Sequence, residues 1–66
     1  MAQESYSRVE RDTRTRILAG AGRAFGRVGY GACRVEDIID EAGVSRGTFY
    51  KFFDSKEAVF DEIEQA

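Results

Sequence analysis

The sequence predicts an all-α fold, a small helical domain that contains a helix-turn-helix. Three observations predict it. Apolar residues recur at the three- and four-residue spacing of helices in successive segments. Glycines separate these segments, since the chain has seven glycines and no proline. The second and third segments are joined by only Gly43, Val44 and Ser45, a connection short enough to turn one helix sharply against the next.

Length and composition exclude several classes of protein. A chain of 66 residues can make one small domain. The lack of histidine and the single cysteine remove the usual metal ligands and the imidazole base, so we expect neither an enzyme nor a metal or cofactor site. No segment approaches the ~20 apolar residues that a membrane span needs. We therefore expect a cytoplasmic protein without a membrane partner.

The first helix is predicted to follow a polar segment. Residues 1–11 lack apolar periodicity and are expected to form a flexible basic arm, with the folded domain spanning residues 12–66. Asp12 or Thr13 is suited to cap a helix that Gly29 then ends. Gly20 and Gly22 each cost this helix roughly 1 kcal/mol relative to alanine, and close helix packing would explain them. Six residues form its apolar face: Ile17, Leu18, Ala21, Ala24, Phe25 and Val28.

The second helix is predicted over residues 35–42. Gly43 can adopt the left-handed conformation that ends it, and Ser45 can cap the helix that follows. With the first helix, this pair gives a homeodomain-like three-helix core. Four residues form the apolar face of the second helix: Val35, Ile38, Ile39 and Ala42.

The third helix is predicted from Arg46 to about Phe53. Helical spacing places Phe49, Phe52 and Phe53 on its inner face. The outward face then holds Gly47, Tyr50 and Lys51, with Arg46 and Thr48 on its flanks.

The start of a fourth helix is predicted around residues 54–57. Either Asp54 and Glu57 form a capping box or Ser55 caps the helix alone. The apolar pattern then continues through Ile63 and is unfinished at the last residue.

The net charge of −2 conceals an uneven distribution. Residues 1–34 hold seven basic and three acidic residues, whereas residues 35–66 hold three basic and nine acidic residues. Within the acidic half, residues 43–53 contain Arg46 and Lys51 and no acid. The outward face of the third helix therefore offers donors for phosphates and base edges, which is typical of a DNA-contacting helix. A generic solvated surface is the alternative.

Two further alternatives stay open at this stage. The arginines near the start of the chain either reach phosphates or a minor groove, or are merely solvated; they are Arg8, Arg11, Arg14 and Arg16. The chain as a whole could instead be a protein-interaction module that docks through Phe60, Ile63 and its acidic end.

Residues 43–60, with the sequence GVSRGTFYKFFDSKEAVF, closely resemble the N-terminal DNA-binding domain of the TetR family of bacterial transcriptional regulators. The likeness extends upstream through TRTRIL at 13–18, AF at 24–25, GY at 29–30 and VEDI at 35–38. It implies that the third helix is a recognition helix that reads double-stranded DNA in the major groove.

The resemblance also implies a role for individual residues. Those expected at bases or adjacent phosphates are Ser45, Arg46, Gly47, Thr48 and, at a variable position, Lys51. Those expected on phosphates are Tyr50, Lys56 and the backbone amide of Val35. Three arginines are additional candidates for backbone contacts: Arg11, Arg14 and Arg34.

The sequence departs from the family pattern in three respects. Arg34 stands where a serine or threonine commonly caps the second helix, and Phe52 replaces a residue that often contacts a phosphate. Members of the family also continue into a long helical domain. The resemblance therefore implies a parent protein that binds a pseudo-palindromic operator as a homodimer, represses transcription, and is released by a small-molecule inducer bound to a C-terminal domain absent here.

Overall fold

The structure, a computed structural model, describes residues 8–65, which form four helices and no strand. The helices are α1 (Arg8–Val28), α2 (Val35–Ala42), α3 (Arg46–Phe52) and α4 (Lys56–Gln65). The predicted all-α fold with a helix-turn-helix is thereby confirmed. None of the helices in this part of the chain is both long and apolar enough to cross a bilayer.

The start of α1 lies upstream of the predicted position. The helix begins at Arg8, so the expected cap at Asp12 or Thr13 is wrong. Thr13 instead donates its hydroxyl to the Val9 carbonyl one turn back, at 2.9 Å, and Glu10 lies in the first turn near the positive helix end. Residues 8–11 of the predicted arm are thus helical, and residues 1–7 lie outside the described residues.

The predicted ends of α1 and α2 are confirmed. Gly29 has a φ of 86° and donates its N–H to the Phe25 carbonyl at 2.8 Å. Gly43 has a φ of 72° and donates in the same way to Ile39, also at 2.8 Å. Both glycines therefore close their helices in the left-handed conformation, in which a side chain would be strained.

Serines cap α3 and α4. The Ser45 hydroxyl accepts the Thr48 N–H at 3.0 Å, which confirms Ser45 as the cap of α3. The Ser55 hydroxyl accepts the Ala58 N–H at 3.2 Å. Of the two caps that the sequence allowed for α4, the structure uses the single serine.

All four helices and the α1–α2 turn contribute to one hydrophobic core. The apolar faces predicted for α1, α2 and α3 point inward, and Cys33 from the turn and Val59 from α4 join them. Phe52, which the sequence placed inward, is only half-buried at the rim, with the Lys51 ammonium 5.7 Å from its ring centroid. The buried residues are Ile17, Ala21, Ala24, Cys33, Ile38, Ala42, Phe49, Phe53 and Val59.

We call the contact of Gly20, Arg23 and Arg27 of α1 with Glu41 and Ala42 of α2 the α1–α2 seam. A Cβ built on Gly20 would lie 2.7 Å from the Ala42 backbone nitrogen, so only glycine allows the two backbones to approach this closely. The predicted packing role of glycine is therefore confirmed here. It is wrong for Gly22, where a Cβ would meet none of the described atoms within 4 Å.

Two arginines close the seam at the end of α2. Arg23 donates to the Glu41 carboxylate at 3.1 Å and to the Glu41 carbonyl at 2.8 Å, and Arg27 donates to the other carboxylate oxygen at 3.1 Å. The hydrogen bond from Arg23, more than that from Arg27, holds the pKa of Glu41 below its ordinary value. Positive charge thus sits at the negative end of α2, where it stabilises the helix.

Three aromatic rings join the end of α1, the turn and α4. The Phe25 and Tyr30 centroids lie 5.2 Å apart, and the Phe60 centroid lies 5.7 Å from Phe25 and 4.7 Å from Tyr30. Ile63 packs against the core from the next turn of α4. The two apolar residues proposed for a docking face are therefore half-buried within the domain itself.

Candidate nucleic-acid interface

The outward face of α3 is fixed by the burial of its inner face. Phe49 is completely buried, with its ring 6.0 Å from that of Phe53, and this contact sets the rotation of the helix. Tyr50, one residue on, is 45% exposed and its ring stands edge-on to Phe49. The outward face defined by this rotation carries Arg46, Gly47, Tyr50 and Lys51, all exposed.

Gly47 has no packing reason to be glycine. A Cβ at this position would meet one atom among the described residues, the Ser45 hydroxyl oxygen at 3.9 Å, which is an ordinary contact. Glycine within a helix is less stable than alanine by ~1 kcal/mol. The fold therefore gains nothing from this glycine, in contrast to Gly20, and the space above it is open to an outside partner.

Arg46 is held by an acid from the neighbouring helix. Its Nη2 donates to Oε2 of Glu36, in the first turn of α2, at 2.9 Å. The hydrogen bond from Arg46 holds the pKa of Glu36 below its ordinary value, and Glu36, followed by Tyr50, raises the pKa of the Arg46 guanidinium. Both side chains are about half exposed, at 51% and 56%.

Lys51 forms a second pair of this kind at the other end of α3. Its ammonium donates to Oε2 of Glu10, in the first turn of α1, at 3.0 Å. The lysine side chain is 60% exposed. Both basic side chains of α3 are therefore matched by carboxylates from other helices, an arrangement that the sequence analysis missed because the partners lie 10 and 41 residues away.

The N-terminal ends of α2 and α3 lie beside this face. Arg34 donates its backbone N–H to the Asp37 carboxylate at 2.9 Å, so the acid three residues later closes the start of α2 and the Arg34 side chain stays exposed. Val35, the first residue of α2, is half-buried. At the start of α3, the Ser45 hydroxyl donates to the Thr48 hydroxyl at 2.9 Å, which couples these two predicted contact residues.

Lys56 is directed at the chain's own backbone. Its ammonium donates to the carbonyls of Tyr30 at 2.6 Å, Cys33 at 2.9 Å and Gly31 at 3.5 Å, and it lies 4.4 Å from the Tyr30 ring centroid. These carbonyls bind the N–H groups of the Lys56 ammonium, which were predicted to bind a DNA phosphate. In this structure the lysine joins α4 to the α1–α2 turn.

Two arginines of α1 were predicted to contact the DNA backbone, and they differ in how far they are drawn into the domain. Arg14 pairs with Glu62 of α4 at 2.9 Å, and its guanidinium lies 5.0 Å from the Phe53 ring centroid, so it belongs to the packing of α1 against α4. Arg11 is exposed on the first turns of α1. The structure thus places Arg11 and Arg34 at the surface and draws Arg14 into the domain.

The chemistry available on this face is hydrogen bonding by cationic and hydroxyl donors. Within residues 8–65, no group of three or more acidic or cysteine side chains is arranged to hold a metal ion. A short helix that follows a tight turn and presents Arg46, Gly47 and Tyr50 outward is the second helix of a helix-turn-helix domain. That is the class of protein which the fold and this face define.

Comparison with known proteins gives the family. A sequence model described as "Bacterial regulatory proteins, tetR family" matches residues 17–63. The chain is 46% identical over 50 residues to the HTH-type transcriptional repressor KstR2 of Rhodococcus jostii, and covers 24% of that protein. It is 36% identical over 52 residues to YdgC of Bacillus subtilis, an HTH-type transcriptional regulator of which it covers 27%.

This chain belongs to the tetR family of bacterial regulatory proteins. The matched parts are 76% of the chain for KstR2 and 79% for YdgC. The chain therefore spans about a quarter of the length of these relatives. No solved structure matches it.

Proposed function

We propose that this domain binds double-stranded DNA sequence-specifically as the reading head of a bacterial transcriptional regulator. The observation that carries the proposal is the exposed Gly47 on the outward face of α3, which the fold does not require. A glycine at this point lets the α3 backbone approach the floor of a major groove, which is wide enough to admit a helix. The arginine, tyrosine and lysine around it supply donors to base edges and phosphates.

The residues of α3 divide between reading and positioning. Arg46 is the candidate for direct base contact, worth ~1–3 kcal/mol of discrimination if it binds guanine through two hydrogen bonds. Thr48 and Ser45, at the start of the helix, contact bases or adjacent phosphates. Tyr50 donates its hydroxyl to a phosphate, and Lys51 adjusts the choice of operator from the far end of the helix.

The backbone contacts come from the surrounding elements. The Val35 amide at the start of α2 is offered to a phosphate, since helix N-termini attract anions. Arg34 and Arg11, both exposed, extend the contact along the DNA backbone. For Arg14 and Lys56 a phosphate contact stays a prediction, and it requires each side chain to exchange the partners it has within the domain.

The parent protein is proposed to act as a homodimer on a pseudo-palindromic operator. Two copies of α3 would then enter major grooves about 34 Å apart. Repression is supported by the printed name of KstR2, a transcriptional repressor. Release by a small-molecule inducer is proposed to require a further domain of the parent protein. The relatives are about four times as long as the part of them that this chain matches.

Gly47→Ala tests the proposal because it moves stability and binding in opposite directions. The alanine should stabilise the domain by up to ~1 kcal/mol through helix propensity. It should also weaken binding to duplex DNA at low salt, measured by fluorescence anisotropy, because the methyl group holds α3 away from the groove. Gly22→Ala, at an exposed glycine of α1, should give the same stabilisation and unchanged binding.

A second pair of variants tests the reading residue. Arg46→Ala should lower affinity for duplexes selected from a randomised pool and relax the choice at one base pair. Arg27→Ala removes the same charge from the α1–α2 seam and should leave that choice unchanged. Unaltered binding by both Gly47→Ala and Arg46→Ala would overturn the assignment of α3 as the reading helix.

A further inference from the structure

The two basic side chains of α3 are each paired with an acid contributed by a different helix. Arg46 pairs with Glu36 of α2 at 2.9 Å, and Lys51 pairs with Glu10 of α1 at 3.0 Å. Exposed ion pairs of this kind add little to stability, because water and salt screen them. A stabilising role therefore does not explain why acids stand beside both cations of this face.

We propose that Glu36 is a positioning residue that determines specificity by acting through Arg46. This inference rests on the proposed function of α3 as a DNA-reading helix. The carboxylate competes with DNA phosphates for the Arg46 guanidinium. Phosphates are present at every position of any duplex. To bind Arg46, a phosphate must displace the Glu36 carboxylate from the guanidinium or lie close to its negative charge. Either event lowers the affinity for DNA of arbitrary sequence.

The same contact orients the guanidinium for a base edge. Glu36 takes a hydrogen bond from Nη2 of Arg46, whereas the guanidinium carries five donors in a fixed planar fork. Tyr50, one turn after Arg46 on the same helix, also raises the pKa of the Arg46 guanidinium. The hydrogen bond to Glu36 ties the Arg46 side chain to α2, so less rotamer freedom remains to be lost when the arginine binds a base.

The location of Glu36 separates its role from that of the other acids of α2. Asp37 closes the start of α2 through the Arg34 N–H, and Glu41 lies in the α1–α2 seam with Arg23 and Arg27. Asp40 is exposed one turn after Glu36 and carries the same charge. Asp40→Asn is therefore the matched control for the effect of charge alone.

The test compares the full 66-residue chain with Glu36→Gln and Asp40→Asn. Each is titrated with a short duplex of random sequence between about 50 and 200 mM salt, with circular dichroism to verify the fold. Glu36→Gln should bind this duplex roughly fivefold to tenfold more tightly at about 0.1 M salt, and the salt slope should steepen by about 0.9, the value for one additional neutralised phosphate. Asp40→Asn should change the slope by less than half as much.

The readout for positioning is sequence selection from a randomised duplex pool. Glu36→Gln should lose roughly threefold to tenfold of the preference at one base pair of the sequence that the original chain selects, and Asp40→Asn should keep it. Equal effects of the two variants, or an unchanged preference in Glu36→Gln, would refute the role of Glu36. If the unaltered chain binds no duplex at any salt concentration, the proposed function itself is refuted, and the role of Glu36 is refuted with it.

Discussion

The α1–α2 seam and the outward face of α3 use the same residue types for opposite purposes. In the seam, Gly20 is required by a backbone 2.7 Å from where its Cβ would be, whereas Gly47 on α3 faces open space. The two arginines of the seam converge on the Glu41 carboxylate, and Arg23 also donates to the Glu41 carbonyl at the end of α2. Arg46 on the face makes a single exposed pair that a ligand can replace. A glycine or an ion pair therefore indicates function only where packing does not already require it.

The largest difference in stability is expected between variants of two neighbouring aromatic residues of α3. Phe49 belongs to the core, and Tyr50 belongs to the outward face. Phe49→Ala should lower the free energy of unfolding by ~3–5 kcal/mol, because it empties a fully buried site. In a domain of this size that loss should prevent stable folding at room temperature. Tyr50→Ala should keep most of the stability and lose affinity for duplex DNA. Urea unfolding and DNA titration of both variants measure the contrast, and a folded Phe49→Ala would contradict the assigned core.

The two glycines of α1 give the next largest contrast. Gly20→Ala should lower the free energy of unfolding by up to roughly 2 kcal/mol, the difference between a steric cost of ~1–3 kcal/mol and a gain of ~1 kcal/mol in helix propensity. Gly22→Ala should raise it by up to ~1 kcal/mol, because its Cβ meets none of the described atoms. Thermal unfolding of the two variants should give shifts of opposite sign. Shifts in the same direction would show that the close approach of α1 and α2 is not required.

Two lysines, Lys51 of α3 and Lys56 of α4, contrast an exposed cation of the outward face with a cation bound inside the domain. Lys56→Ala should destabilise the domain by about 1 kcal/mol, because the half-buried ammonium holds the α1–α2 turn through hydrogen bonds to carbonyls. Lys51→Ala should change stability little and lower the salt slope of DNA binding by about 0.9. If Lys56→Ala lowers the salt slope by the same amount, the predicted phosphate contact of Lys56 is supported. If the salt slope is unchanged, Lys56 serves only to hold the α1–α2 turn.

The smallest effect concerns acid pH. The Arg23 hydrogen bond, reinforced by Arg27, lowers the folded-state pKa of Glu41 below the ordinary value of 4.5. A lowered pKa stabilises the folded state above the unfolded value, and this contribution is lost as the pH falls through 4.5 and then through the folded pKa. Glu41→Gln should therefore show a weaker decline in thermal stability between about pH 5 and about pH 3. Glu64→Gln, with the same charge change at the end of α4, should keep the original decline.

Local sequence signals were sufficient for most of the fold. Gly29, Gly43 and Ser45 marked three helix boundaries correctly, because a left-handed residue or a hydroxyl cap acts within one turn of its own position. The inner face of α3 followed from helical spacing. The start of α1 was missed because residues 8–11 are polar apart from Val9 and lack the apolar periodicity from which the rest of the helix was predicted.

The candidate site was predictable by residue but not by contact. The sequence placed Gly47, Tyr50 and Lys51 on the outward face and Arg46 on its flank, and the structure has all four exposed. It gave no signal that Glu36 would meet Arg46 or that Lys56 would turn to the carbonyls of the α1–α2 turn. Such contacts depend on how the helices are oriented to one another, which no local pattern specifies. The roles in DNA binding proposed for these residues stay predictions.

The lengths of the helices have a consequence for the order of folding. α1 has 21 residues, whereas α2 has eight and α3 has seven. Isolated helices shorter than ~12–15 residues are marginal in water. We therefore expect α1 to form first and the short helices to pack onto its apolar face afterwards. Backbone amides near Ala21 should exchange slowest with solvent deuterium. The amides of α3 should exchange whenever α2 and α3 separate from α1. The rigidity of α3 thus depends on α1, a helix that carries none of the residues proposed to read DNA bases.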